Sequence, residues 1–275
     1  MIFEVYVPTF PLNQFIEHFF YYEGLSPAHN KERFFPDGNT EIIIDLSENL
    51  QYIYDNESLR EIQACRNAWV SGVRTRSITI PSGRGSRMLI VAFKKGKAYP
   101  FYPMPMSEIA DQVVGADLIF GRNIINLREQ LLASSSIDEK FLLLEKFLLK
   151  QFDGTQADEN QAKCIEYTLL RIVNQPHVIS FQYVCEQIGY SQKHFINLFK
   201  EQVGVLPKQY LKIMRFQKAI VEIENHELIH WSNFAREIGY YDQPHFINAF
   251  KSFSGFTPGE YLNRKTDLLN YVPVG

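Results

Sequence analysis

Two stretches of this chain carry the same kinds of side chain at the same helical spacing. In the first, Gln192, Lys193, Ile196, Asn197 and Lys200 fall on one side of a helix that would start after Ser191. In the second, Gln243, Pro244, Ile247, Asn248 and Lys251 do the same after Asp242. An Asn or Gln amide presents a donor beside an acceptor and so fits the edge of adenine. A Lys ammonium suits guanine N7 and O6 or a phosphate, and an exposed Ile suits a thymine methyl. Any solvated helix shows Gln, Lys and Asn to water, so a single copy decides little. An Ile and Asn pair recurring at the same place shifts the balance towards contact with a duplex, because an exposed apolar group gains nothing from water.

These groups lie inside an internal repeat. Residues 181–210, FQYVCEQIGYSQKHFINLFKEQVGVLPKQY, align with residues 231–261, WSNFAREIGYYDQPHFINAFKSFSGFTPGEY, with one inserted residue. Each copy reads as a short amphipathic helix, a glycine at the turn and a second helix, which is the helix-turn-helix layout. Gly189 and Gly239 stand where a helix end needs positive φ. Ser191 and Asp242 are suited to cap the second helices, and Pro244 is tolerated in a first turn. Phe195, Leu198 and Phe199, and likewise Phe246, Ala249 and Phe250, form the inward stripe. His194 and His245 also recur; with no Cys or carboxylate at ligand spacing, packing or phosphate contact is expected rather than metal binding. Residues 208–223, KQYLKIMRFQKAIVEI, read as one long joining helix with Lys212, Arg215 and Lys218 available to phosphates.

Taken together, Ile188-Gly189-Tyr190, His194-Phe195, Arg215, Ala219, Ala235, Ile238-Gly239-Tyr240, His245-Phe246, Phe250-Lys251, Gly255 and Thr257-Pro258 to Tyr261 resemble the AraC/XylS family of bacterial transcription regulators. The resemblance covers residues 161–265 and is closest in the second copy. It implies a double helix-turn-helix domain that sets its two recognition helices in successive major grooves, about 34 Å apart. It also implies that Lys193, Ile196 and Asn197, with Gln243, Pro244, Ile247 and Asn248, hold the base-reading positions. Family members often have Arg where this chain has Asn197 and Asn248, so base preference does not carry over, and Cys185 stands where Ala is common.

The elements preceding the repeat are of another kind. Glu41–Leu46, Gln51–Tyr54, Ser77–Ile80 and Met88–Phe93 read as short strands separated by turn chemistry at Pro36-Asp37-Gly38, Ser71-Gly72 and Pro81-Ser82-Gly83. Their spacing suggests a sandwich or small barrel. From Ser107 a helical period is expected, with Ser107 capping EIADQVV, a second helix near Ile124–Leu132 and a third from Ser136. In the third, Ile137, Phe141, Leu144 and Leu148 step by 4, 3 and 4. That stripe fits either a helix packed on its own sheet or a homodimer seam. The acidic, polar stretch 152–161 reads as a linker.

Residues 62–107 hold eight Lys and Arg and no acidic residue. Three readings remain: basic outer faces beside acidic neighbours, an anion-binding effector pocket in which Arg74, Arg76, Arg87 and Tyr102 take part, or contact with DNA. Residues 1–160 contain only His18 and His29, and no paired carboxylates, nucleophile elbow or phosphate loop stand out, so neither a metal centre nor an enzyme is expected and no cofactor is implied. The three cysteines are far apart and read as buried small hydrophobes.

Composition agrees with a folded cytoplasmic protein: 45% hydrophobic residues, 21% charged, and no apolar run of membrane-spanning length. Net charge is −3, but residues 1–160 carry 16 basic against 21 acidic groups and residues 161–275 carry 12 against 10, so the second part is the mildly basic one. The expectation is an α+β chain: a β-rich, cupin-like sensor domain at 1–105, a helical segment at 106–151 with possible dimerisation, a linker at 152–161, an all-α double helix-turn-helix domain at 162–265, and a tail at 266–275. Its partners would be double-stranded DNA, RNA polymerase, a second copy and a small-molecule effector, and the resemblance favours activation. The alternative is a constitutive DNA-binding or protein-interaction factor with no effector.

Overall fold

A computed structural model of the chain describes residues 1–154, 158–176, 179–225 and 229–275. Its first half is a β-sandwich of two antiparallel sheets. The strands are β1 (Ile2–Tyr6), β2 (Ile16–Glu23), β3 (Lys31–Phe34), β4 (Glu41–Asp45), β5 (Gln51–Tyr54), β6 (Glu61–Cys65), β7 (Ala68–Ser71), β8 (Ile78–Pro81), β9 (Arg87–Phe93) and β10 (Val113–Gly115). One sheet runs β1-β2-β9-β4-β7-β10. The other runs β3-β8-β5-β6 and is extended at β3 by β11 (Tyr271–Val274), a strand from the far end of the chain.

The six-stranded sheet is covered on both faces, which explains why β4 reads as a continuous apolar run. Ile42 and Ile44 point to one side, where Phe19, Leu89, Val91 and Phe93 meet the helices α1 (Ala116–Phe120), α2 (Arg122–Ala133) and α3 (Ile137–Gln151) in one core. Ile43, Met88 and Ile90 point to the other, towards the second sheet. The stripe of α3 belongs to the first of these cores. Phe141, Leu144 and Leu148 are fully buried and Ile137 packs beside them, so the seam expected for dimerisation is corrected: these four side chains already face the domain's own sheet.

Ser136 caps α3 through a bond from the Glu139 amide. The helix expected after Ser107 is also corrected. Residues 106–108 make a single 3-10 turn, Asp111 takes positive φ, and the β-branched pair Val113-Val114 joins β7 as a strand instead.

The second half is helical: α4 (Glu159–Asn174), α5 (Phe181–Ile188), α6 (Gln192–Val203), α7 (Pro207–Glu224), α8 (Trp231–Glu237), α9 (Gln243–Ser254) and α10 (Pro258–Arg264). Residues 155–157 of the expected linker lie outside the described residues, and 158–161 are the cap and first turn of α4. The helical core is not self-contained. Phe35, from the segment after β3, is fully buried in it with its ring 5.9 Å from those of Phe216 and Tyr261, and Val73 and Val272 complete the same cluster. Among the described residues no helix is long and apolar enough to cross a membrane.

Candidate functional site

The two copies of the repeat fold alike because their local signals are alike. α5 ends at Gly189, left-handed at φ +70°, and the turn after α8 uses Gly239 at +86°. In both, the next residue's amide closes the turn on the equivalent carbonyl: Tyr190 to Cys185 at 3.1 Å and Tyr240 to Ala235 at 2.8 Å. Ser191 then caps α6 by accepting from the His194 amide, and Asp242 caps α9 by accepting from that of His245. The histidines find the same partner, edge-on to Tyr190 at 4.7 Å and to Tyr240 at 5.3 Å. Phe195 and Phe199, and Phe246 and Phe250, are fully buried.

With that face committed to the core, the opposite one is left to solvent. Gln192, Lys193, Ile196, Asn197 and Lys200 are exposed on α6; Pro244, Asn248 and Lys251 are exposed on α9, with Gln243 and Ile247 half-buried beside them. Lys212 is exposed on α7. Arg215 is half-buried, with its Nε donating to the Pro176 carbonyl at 2.8 Å and its terminal nitrogens left over for other acceptors.

A second site lies between the two sheets, where a cavity of about 710 Å³ opens. That size is typical of pockets for drug-sized ligands. Residues 39, 41 and 43 alternate onto its wall, as the period of a strand requires. β9 flanks β4 on one side and β7 on the other, with Trp69 directly across from Ile43 and Ser71 across from Glu41. β2 adds Phe20 and Tyr22, and the C-terminal strand adds Tyr271.

The same segment that walls this cavity also holds the helical domain. The Pro36 carbonyl accepts from Gln217 Nε2 at 2.7 Å, the Gly38 carbonyl accepts from the Tyr210 hydroxyl at 3.1 Å, and the Phe35 amide donates to Asn270 at 3.0 Å. Gly38 takes a left-handed φ of +82°, which favours glycine, and a Cβ there would lie 2.5 Å from the Met214 methyl and 3.0 Å from the Tyr210 hydroxyl. Asp37, between these contacts, and Asn39, just after them, face the cavity.

Burial and the nearby Asp37 carboxylate push the Glu41 carboxyl up to about 8. Asp37 is raised as well, mainly by burial, with its Asn39 hydrogen bonds and Lys95 opposing. Glu32 is raised by burial and partly held down by His29, 3.0 Å away.

Residues 184–264 match the helix-turn-helix domain family, and residues 4–115 match a domain of unknown function, DUF6597. The C-terminal domain is an AraC-type helix-turn-helix domain. No curated protein sequence matches the chain. Among solved structures, ToxT from Vibrio cholerae is similar at 13% identity over 95% of this chain and 97% of that one, with a TM-score of 0.44. ToxT bound to an unsaturated fatty acid gives 12%, 98%, 96% and 0.43. The C-terminal domain of AraT, a response regulator from Geobacillus stearothermophilus, gives 21% over 41% of this chain and 91% of that one, with a TM-score of 0.34.

In the AraC-type domain the residues singled out from sequence therefore stand on α6, α7 and α9, and most are open to solvent, with Gln243, Ile247, Arg215 and Lys218 half-buried. The four proposed effector residues are not brought together, and none borders the cavity. Arg87 donates to the Leu46 carbonyl, Arg74 reaches the Asp111 carbonyl at 3.4 Å, Arg76 is exposed, and Tyr102 is buried between Phe93 and Phe120. The anionic-effector assignment is corrected accordingly. The cavity residues that sequence reasoning missed are Asp37, Asn39, Glu41, Trp69 and Tyr271; the acidic residues in PDGNTE, among apolar strands, were the available signal.

Proposed function

We propose that this protein is a sequence-specific DNA-binding transcription regulator that reads two successive major grooves with α6 and α9. The observation that carries the reading is the duplicated Asn, exposed at 197 and 248 on two helices whose other faces are fixed by buried phenylalanine pairs, with Ile196 exposed and Ile247 half-buried one position before each. Asn197 and Asn248 read base edges, Ile196 and Ile247 meet thymine methyls, and Lys200, Lys212 and Lys251 hold phosphates. One chain supplies both recognition helices, so two-groove contact needs no second copy. RNA polymerase is the partner, and the outcome is activation.

The sandwich cavity is the effector site in this proposal. Residues 35–39 form part of its wall and at the same time bond α7, so a ligand that favours one arrangement of this segment shifts the docking of the DNA-binding domain.

Selection from a random duplex pool with the full chain tests the DNA-reading claim. Enrichment of a site with two determinants about one helical turn apart supports it, and recovery of unrelated sequences bound only through charge contradicts it. A reporter driven by the winning site, transcribed with RNA polymerase, gives the sign: a rise in transcript supports activation and a fall overturns it.

A further inference from the structure

The walls of the cavity have an uneven chemistry. Three carboxylates border it, Glu32, Asp37 and Glu41, and no Lys or Arg does. The basic side chains that do border it are His18 and His29. His29 is already paired with Glu32, and burial lowers the pKa of His18. Lys95 acts on Asp37 from outside the lining.

Two acceptors there lack donors. Asn39 Oδ1 is buried with no hydrogen-bond partner, and the Glu41 carboxylate has neither a hydrogen bond nor an ion pair among the described residues. A buried acceptor such as Asn39 Oδ1 is costly unless something fills it. The rest of the lining is mainly apolar or aromatic, with Ser71, Gln51 and Asn270 among the neutral polar exceptions, which suits a hydrocarbon body and also the face-on approach of a cation.

We infer that the cavity takes a hydrophobic organic amine, its protonated nitrogen seated among Asp37, Asn39 and Glu41 and its hydrocarbon body against Tyr22, Trp69 and Tyr271. The ammonium donates to Asn39 Oδ1 and to the Asp37 and Glu41 carboxyls, and its charge offsets the burial and the Asp37 charge that keep Glu41 protonated in the empty cavity. An organic carboxylate finds no Lys or Arg in the lining and adds a further negative charge beside Asp37. This inference rests on the reading of the cavity as the effector site and specifies its ligand class. Tyr271 ties it to the DNA-binding half, since that residue follows the two helix-turn-helix units and lies close enough to Glu41, Glu32 and Asp37 to feel their charge.

The test is calorimetric titration of the full chain with three probes of one skeleton: biphenylbutylamine, biphenylbutanol and biphenylbutanoate. The amine is expected to bind at least about tenfold more tightly than the alcohol, and the carboxylate more weakly than either. Near neutral pH the amine should also release close to one proton, read from its heat in phosphate against Tris, because Glu41 holds a proton in the empty cavity and gives it up beside an ammonium. Glu41→Gln should bring the amine to the affinity of the alcohol and abolish the proton release.

A carboxylate that binds as tightly as the amine, or an amine that releases no proton, overturns the inference even if the variant fails to fold. Ile80→Trp, which fills the cavity, locates the site. If it abolishes binding of the alcohol while the wild type shows no preference for the amine, the ligand class is wrong and the effector site stands. If none of the three probes binds the wild type, both fail.

Discussion

Replacing Glu41 with Gln should make the protein more stable, and increasingly so as pH rises. The carboxyl keeps its proton in the folded protein up to about pH 8, whereas an unfolded chain gives it up near 4.5. Between those values the folded state binds more protons, so wild-type stability falls as pH rises through the window and levels off outside it. Each pH unit is worth about 1.4 kcal/mol, so the full window amounts to about 5 kcal/mol.

Gln is neutral throughout and nearly isosteric, and it escapes this loss. The groups that face Glu41, namely Asp37, Glu32 with His29, Tyr22 and Tyr271, are present in both proteins and cancel to first order. The stability gap between variant and wild type should therefore be small at pH 5 and reach roughly 2–5 kcal/mol by pH 8. Urea unfolding read by Trp69 in a Trp231→Phe background follows the sandwich alone, since the chain has only these two tryptophans. A gap that stays constant from pH 5 to pH 8 would refute the burial argument.

Other consequences follow from single contacts. Gly38→Ala forces a Cβ against Met214 at positive φ and should loosen the junction, seen as faster proteolysis between the two halves and a lower Tm; unchanged protection would contradict the fit. Phe35→Ala should cost about 3–5 kcal/mol and destabilise the helical half, because the ring fills that core rather than its own. Asp242→Ala removes the cap of α9 and should cost about 1 kcal/mol, with DNA affinity falling alongside helix content. Lys212→Ala should weaken all duplexes alike and reduce the slope of log affinity against log salt by about 1, whereas a change in sequence preference would place it at a base.

The helix-turn-helix half was legible because its signals are local. A glycine two residues ahead of a capping Ser, or three ahead of a capping Asp, and a phenylalanine pair four residues apart settle turn, cap and face without knowledge of the rest of the chain. The strand Gln51–Tyr54 and the cap of α3 at Ser136 are of the same kind. What sequence hid is nonlocal. β11 is four residues, YVPV, that become a strand only because β3 offers an edge, and Pro273 is tolerated because that edge is the outer one.

The stripe of α3 has the same spacing whether it meets a partner or its own sheet, so period alone could not choose. The run EIIID concealed the alternation that aims Glu41 at the cavity, since both faces of β4 are covered. The basic run 62–107 drew attention to arginines that the fold scatters, while the carboxylates that line the cavity, Asp37 and Glu41, lie in and just after a turn that reads as an ordinary surface loop.

The claim that α6 and α9 each read one groove is tested most directly by a base-substitution scan of the selected site with Asn197→Ala and Asn248→Ala in the full chain. Each variant should lose discrimination, about 1–3 kcal/mol, at positions in a different half of the site, the halves lying about one helical turn apart. Loss in the same half for both variants, or no change in preference for either, would contradict the account.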